Sequence, residues 1–197
     1  MKIIHNGISV NFTSQTYAPA EDTYLLLDAS LAAVKENDSV LEIGSGCGII
    51  SKIIKERKHV RIIASEISPH AAKCTRSNKV ETIRTDLFKG IKTTFDVIIF
   101  NPPYLPTGKD EKILGWLNYA FDGGKDGRET INQFLKEAWP HLKENGRVLT
   151  IISSLTDIDP VKKKMDEIGY TVSELESEKH FFEKLIVLKG EKKKPSI

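Results

Sequence analysis

The sequence predicts an α/β fold in which a mostly parallel sheet is covered by helices on both faces, and three observations carry that expectation. Short apolar, β-branched runs alternate with helical patterns from residue 39 onward, as crossover-linked parallel strands require. Glycines cluster directly after the first of these runs, where strand passes to helix. The run Phe95-Asp96-Val97-Ile98-Ile99-Phe100 stops abruptly at Asn101-Pro102-Pro103-Tyr104. Neither proline can donate a backbone hydrogen bond and each holds φ near one value, so the strand should end in a stiff corner containing Asn101. Ligands of open α/β sheets bind outside the carboxyl ends of the strands, which makes this corner a place for chemistry.

Taken in order, residues 1–19 hold two short alternating pieces separated by Asn6-Gly7, a strong hairpin signal. Acidic Glu21-Asp22 open an apolar-periodic helix, where they complement its dipole; it should pack through Leu27, Leu31 and Val34. Strands are expected at 39–43, 61–65, 80–84, 95–100, 147–152, 170–175 and 184–188. Helices are expected at 49–57, after the Ser68-Pro69 start signal, at 129–142 and at 160–168. Residues 104–128 lose all periodicity and carry Trp116, Tyr119 and Phe121; loops this long are commonly functional. One domain over residues 1–188 is expected, with a hairpin and helix at 1–38, a substrate-side loop at 104–128, and a flexible basic tail at 189–197.

Composition narrows the function classes. The chain has 197 residues, 40% hydrophobic and 28% charged, an ordinary globular balance. A formal charge of +2 lacks the basic excess of nucleic-acid binders, so nucleic acid is not the expected partner. No apolar stretch is long enough to cross a bilayer, and the opening Met1-Lys2-Ile3-Ile4-His5-Asn6-Gly7 turns polar too early for a signal peptide, so a cytoplasmic protein is expected. Cys47 and Cys74 have no histidine at ligand spacing; reduced thiols and no bound metal are expected.

Glu42-Ile43-Gly44-Ser45-Gly46-Cys47-Gly48 sits at a strand-to-helix turn, where glycines let backbone amides approach a ligand. Neither the dinucleotide fingerprint nor a P-loop fits, because position 49 is Ile and no Gly-Lys-Ser/Thr follows. Glu42, Glu66 and Asp86 each fall at the end of a successive expected strand. Glu66 stands where an acid can accept from ribose hydroxyls, and Asp86-Leu87 where an adenine ring could be held.

The glycine spacing resembles motif I of class I S-adenosylmethionine-dependent methyltransferases, and Asn101-Pro102-Pro103-Tyr104 resembles the signature of those that alkylate a conjugated nitrogen. From about Tyr17 to Leu188 the chain is similar to the HemK-like release-factor glutamine methyltransferases, in their compact archaeal and eukaryotic branch. The further matching pieces are Tyr17-x-Pro19-Ala20-Glu21-Asp22-Thr23, Thr85-Asp86-Leu87 and Gly123-Gly124-x-x-Gly127-Arg128-Glu129. The resemblance implies a Rossmann-like fold, a seven-stranded and mostly parallel sheet with the last strand antiparallel. It implies S-adenosylmethionine, converted to S-adenosylhomocysteine, over Thr23, Glu42, Gly44, Gly46, Gly48, Glu66, Asp86, Leu87 and Asn101. Asn101, Pro102 and Tyr104 would be catalytic and, with Pro103, hold the acceptor: the glutamine of the Gly-Gly-Gln motif in a class I release factor. It also implies a small zinc-containing activator subunit, for which the open edge strand at 80–84 offers a place. Adenine-N6 methylation of DNA or RNA is the alternative, and a non-catalytic scaffold is a third. Arg128 could order the loop or form a surface ion pair, and the loop aromatics could form a lid or only a small core.

Overall fold

Strand pairing builds the sheet around the run that ends at Asn101. The computed structural model describes residues 1–192. In it β1 (Lys2–His5) and β2 (Ile8–Asn11) form a separate antiparallel hairpin, and α1 (Glu21–Ala33) leads to β3 (Ser39–Ile43). Then come α2 (Ile49–Arg57), β4 (Arg61–Glu66), α3 (Pro69–Ser77), β5 (Thr82–Arg84) and β6 (Phe95–Phe100). After an insert with two 3₁₀ turns, Lys109–Glu111 and Trp116–Ala120, follow α4 (Glu129–Ala138), β7 (Leu142–Ser153), α5 (Ile158–Ile168), β8 (Tyr170–Lys179) and β9 (Lys184–Lys192). The large sheet has the order β5-β4-β3-β6-β7-β9-β8. Neighbours from β5 to β7 are parallel, and β9 runs antiparallel to both β7 and β8. This is the seven-stranded arrangement that the resemblance implied.

Period-two alternation sends the sheet's side chains into two cores. Val40, Val97, Ile99, Leu149 and Val187 pack with Leu26 and Leu27 of α1 and Ile53 and Ile54 of α2. Leu41, Ile98, Phe100, Val148 and Ile186 pack with Phe134 and Leu135 of α4 and Met165 of α5. Val97, Ile98 and Ile99 are fully buried, and each such aliphatic side chain contributes about 1.5–3 kcal/mol. The corner after β6 therefore stands on one of the most firmly held strands.

Several boundaries differ from expectation. The Asn6-Gly7 turn forms as expected, both residues having positive φ. On α1, Leu27 and Val34 are buried but Leu31 is only half-buried, and Leu26 takes its place. The helix packs on α2 as well as on β7, β8 and β9, which rotates its buried stripe. α4 stops at Ala138, and a 3₁₀ turn at Trp139–His141 hands the chain to β7, which begins at Leu142. α5 starts at Ile158, ahead of Pro160, because proline is tolerated in a helix's first turn. β9 continues to Lys192, with Lys189 paired to Leu149 and Gly190 to Val148. Residues 189–192, expected in the tail, thus belong to the sheet, since backbone pairing needs no apolar side chain; residues 193–197 lie outside the described residues. No helix among the described residues is long and apolar enough to cross a membrane.

Candidate active site

Gly44 and Asn101 leave adjacent parallel strands at the same level, because Ile43 pairs with Phe100 in register. Both line a cavity of about 680 Å3, together with Thr23, Glu66, Asp86 and Leu87, a volume within the range of small-molecule sites. The two motifs singled out in the sequence therefore share one hollow. Pro102 and Pro103 are buried beside it and Tyr104 is half-buried.

Beneath the corner lies Asp22, only 4% exposed. Asn101 donates from Nδ2 to Asp22 Oδ2 at 2.9 Å. A carboxylate offers acceptors only, so the Asn101 amide cannot be reversed, and its Oδ1 is left to the cavity that Asn101 lines. Asp22 is itself pinned. Its Oδ1 accepts from the Thr23 backbone N–H at 2.6 Å and the Thr23 hydroxyl at 3.1 Å. The Tyr17 hydroxyl reaches both carboxylate oxygens at 3.1 Å, and the Tyr104 hydroxyl donates to Oδ2 at 3.4 Å, a weaker contact. Burial, and then the Asp22 charge, raises both phenols far above their ordinary range, so both stay protonated as donors. α1 supplies Asp22 in its first turn, where the helix dipole favours an anion. In the sequence Asp22 stands at a helix start and within a family-matching piece, and nothing local signals a contact 79 residues away.

Among the expected cofactor residues, Glu66 braces the glycine turn. Its Oε2 accepts from the Gly46 N–H and its Oε1 from the Ser68 N–H, each at 2.8 Å. Gly44 and Gly46 line the cavity, and a Cβ on Gly46 would meet nothing within 4 Å, so that part of the turn faces open space. Asp86 lines the cavity while paired to Lys89 at 2.6 Å, and Leu87 follows at a positive φ of 46°. The Thr23 hydroxyl, shared between Asp22 and the Ala20 N–H, is committed to the corner.

Two of the expected cofactor residues also have partners within the fold. The Glu42 carboxylate borders the cavity but accepts from the Ser51 backbone N–H and hydroxyl, inside the first turn of α2. A buried acid needs donors and a helix start has free ones, so Glu42 supports α2. Burial pushes it up to about 7 despite those hydrogen bonds. Gly48 does not line the cavity. It caps α2 at φ 78°, and a Cβ there would fall 2.6 Å from Thr75 Cγ2, so its missing side chain makes room for α3.

The insert spans the cavity. Phe121 meets Tyr17 edge-on at 5.6 Å, Trp116 stacks on Tyr119 at 5.6 Å, and Arg84 of β5 lies 5.6 Å from the Trp116 ring centre. All three insert aromatics line the hollow, as a lid does. A Cβ on Gly127 would collide with the Tyr104 carbonyl oxygen, which explains a glycine where the insert packs back on the corner. Arg128 donates to the Thr156 carbonyl at 2.7 Å and pairs with Asp126 at 2.8 Å. Thr156 in turn donates to the Tyr104 carbonyl. Arg128 thus makes an ion pair and also orders the loop.

Comparison with known proteins agrees with this geometry. Residues 21–182 match the family described as the methyltransferase small domain. A Methanocaldococcus jannaschii protein, named as a candidate protein N5-glutamine methyltransferase, is 42% identical over 188 residues, covering 92% of this chain and 94% of that protein. The human methyltransferase HEMK2 is 37% identical over 145 residues, 66% of this chain and 68% of the human protein. The solved E. cuniculi Mtq2–Trm112 complex, described as methylating the translation termination factor eRF1, aligns with a TM-score of 0.74 at 28% identity, covering 91% of this chain and 99% of the matched one. A sheet that ends Gly44 beside Asn101, together with these matches, places the chain in the methyltransferase small-domain family, among the HemK-like protein glutamine methyltransferases.

Proposed function

We propose that the chain transfers a methyl group from S-adenosylmethionine to the side-chain amide nitrogen of the glutamine in the Gly-Gly-Gln motif of a class I translation release factor. The products are N5-methylglutamine and S-adenosylhomocysteine, and the reaction belongs in the cytoplasm, where translation ends. The observation that carries this reading is the locked amide of Asn101, held by Asp22 beside the turn that starts at Gly44. The names of the relatives support the choice of glutamine and of release factor.

The hollow suits the donor in size and charge. Asp22, Glu66 and Asp86 line it, and a cleft rich in acids favours a cationic ligand. When bound, S-adenosylmethionine supplies a methyl group on a positively charged sulfur. A glutamine amide is a weak nucleophile, because its nitrogen lone pair is shared with the carbonyl. Asn101 Oδ1 and the Pro102 carbonyl can each accept one of its N–H bonds, which fixes the NH2 group and raises electron density on nitrogen. Tyr104 covers one face of the amide plane. As the new N–C bond forms, the nitrogen loses one proton through an acceptor to water. Most of the rate gain comes from orientation and from dipoles already in place.

A small zinc-containing activator subunit belongs to the same proposal. The E. cuniculi relative is solved in complex with Trm112, and β5 is an edge strand of three residues with Ile83 exposed. Strand addition at such an edge is a common mode of recognition. A lone chain that is fully soluble, binds donor and turns over would remove the partner.

Labelled donor, offered with purified release factor, its Gly-Gly-Gln Gln→Ala variant and DNA, tests the reaction. Label should appear only on the unaltered factor. Equal label on the variant would sink the glutamine assignment, and label on DNA alone would favour adenine.

A further inference from the structure

Large hydrophobic side chains left exposed among the described residues are not scattered. Apart from Met1, Ile4 and Ile83, they lie on the insert between Leu105 and Phe121, at Leu155, and at Phe181 and Phe182. The insert roofs the cavity. The other two groups sit on segments that are hydrogen-bonded to each other, and one of those segments also holds the Tyr104 corner. Phe181 and Phe182, 93% and 83% exposed, occupy the turn between β8 and β9 and pack edge to face with ring centres 4.6 Å apart. Leu155, 53% exposed, sits on the 3₁₀ turn Ser154–Thr156.

Hydrogen bonds tie that tip to the acceptor corner. The Lys184 N–H donates to Ser154 Oγ at 2.9 Å, and Ser153 Oγ donates to Glu183 at 2.5 Å. On the same turn Thr156 holds the Tyr104 carbonyl. Two neighbouring phenylalanines in water have no structural use at a hairpin tip, whereas exposed apolar patches and aromatic anchors mark protein interfaces. A loop that reaches Asn101 fills the cavity, and the folded body behind that loop has to rest on the rim.

We propose that Phe181, Phe182 and Leu155 form the docking lip for the folded domain that carries the target glutamine; this rests on the glutamine reading above. The occupant is a protein with an apolar patch next to its methylated loop, seated on a surface continuous with the acceptor corner. The lip confers preference for whole protein over isolated loop and touches no reacting atom.

Steady-state methyl transfer is measured on purified class I release factor and on a short synthetic peptide of its Gly-Gly-Gln loop, with wild type, F181S/F182S and L155S. Two anchor residues lost together should raise KM for the whole factor about tenfold, with a smaller rise in L155S. Values of kcat, and all peptide kinetics, should stay at the wild-type level. An unchanged KM for the factor overturns the proposal. Equal loss on peptide and factor overturns it too, since the tip would then be a structural support. A wild-type dimer that F181S/F182S converts to monomer without altering KM would assign the lip to a second copy. Should the double variant fail to fold, L155S read the same way decides. If wild type, assayed alone and together with its activator subunit, methylates neither substrate, the glutamine reading itself has failed and the lip falls with it.

Discussion

Replacing Asp22 with Asn keeps the side chain's shape and removes its charge, so it tests whether Asn101 works only in one orientation. In the structure the Asp22 carboxylate accepts from Asn101, Thr23 and Tyr17. A hydrogen bond to a charged group contributes about 1.5–3 kcal/mol. In D22N the new amide can meet Asn101 with its oxygen or with its NH2 group, and the second arrangement turns Asn101 Oδ1 away from the cavity. With each 1.4 kcal/mol or so equal to tenfold, kcat should fall about tenfold to a hundredfold. Donor affinity, read by titration calorimetry, should fall less than kcat, because Glu66 and Asp86 keep the cavity acidic while the hydrogen bonds of Asp22 serve the acceptor corner. D22A differs in kind: it leaves the Tyr17 hydroxyl without its partner, which costs about 1–3 kcal/mol of stability. A folded D22N with kcat within about twofold of wild type would refute the idea that the carboxylate sets the amide.

Further tests address the rest of the site. Asn101→Ala should abolish measurable methyl transfer while donor binding persists, and a variant with wild-type turnover would contradict the acceptor role. Glu66→Gln leaves one oxygen for the two amides now held by separate oxygens, so donor Kd should rise about tenfold, an unpaired buried N–H costing about 1–3 kcal/mol; an unchanged Kd counts against the brace. Gly127→Ala must adopt φ 72° against the Tyr104 carbonyl, a strain of about 1–3 kcal/mol before the clash, and calorimetry should show a lower melting temperature; none would contradict the packing. Glu42 is raised from 4.5 to about 7, chiefly by burial. The folded chain therefore holds this proton more tightly than the unfolded one. Stability from it is full below about 4.5 and lost as pH rises through about 7, a change of up to about 3 kcal/mol. Melting temperature in Glu42→Gln should fall less over that window than in wild type, and identical profiles would contradict the assignment.

What the sequence disclosed was what short segments can encode. Asn101-Pro102-Pro103 fixes a corner by its own stereochemistry, and a hairpin turn at Asn6-Gly7 needs only two residues of positive φ. The seating of Gly44 beside Asn101 follows from strand order and register, which an alternating pattern implies without residue detail. The contacts that Asp22 and Thr156 make stayed hidden because their partners lie 79 and 52 residues away, and each looks like ordinary helix-start or turn chemistry in its own segment. The support that Glu42 gives to α2 was equally hidden: its place at a strand end suits a ligand, and nothing in that segment points to the Ser51 amide and hydroxyl nine residues on. Residues 189–192 misled through charge, since a strand held by β7 can carry lysines outward.

The most direct measurement is a structure of the protein with S-adenosylhomocysteine and a Gly-Gly-Gln peptide. The glutamine nitrogen should lie about 2.7–3.2 Å from both Asn101 Oδ1 and the Pro102 carbonyl, with Asn101 Nδ2 still on Asp22. A glutamine seated elsewhere, or an Asn101 amide turned to present its NH2 group, would contradict it.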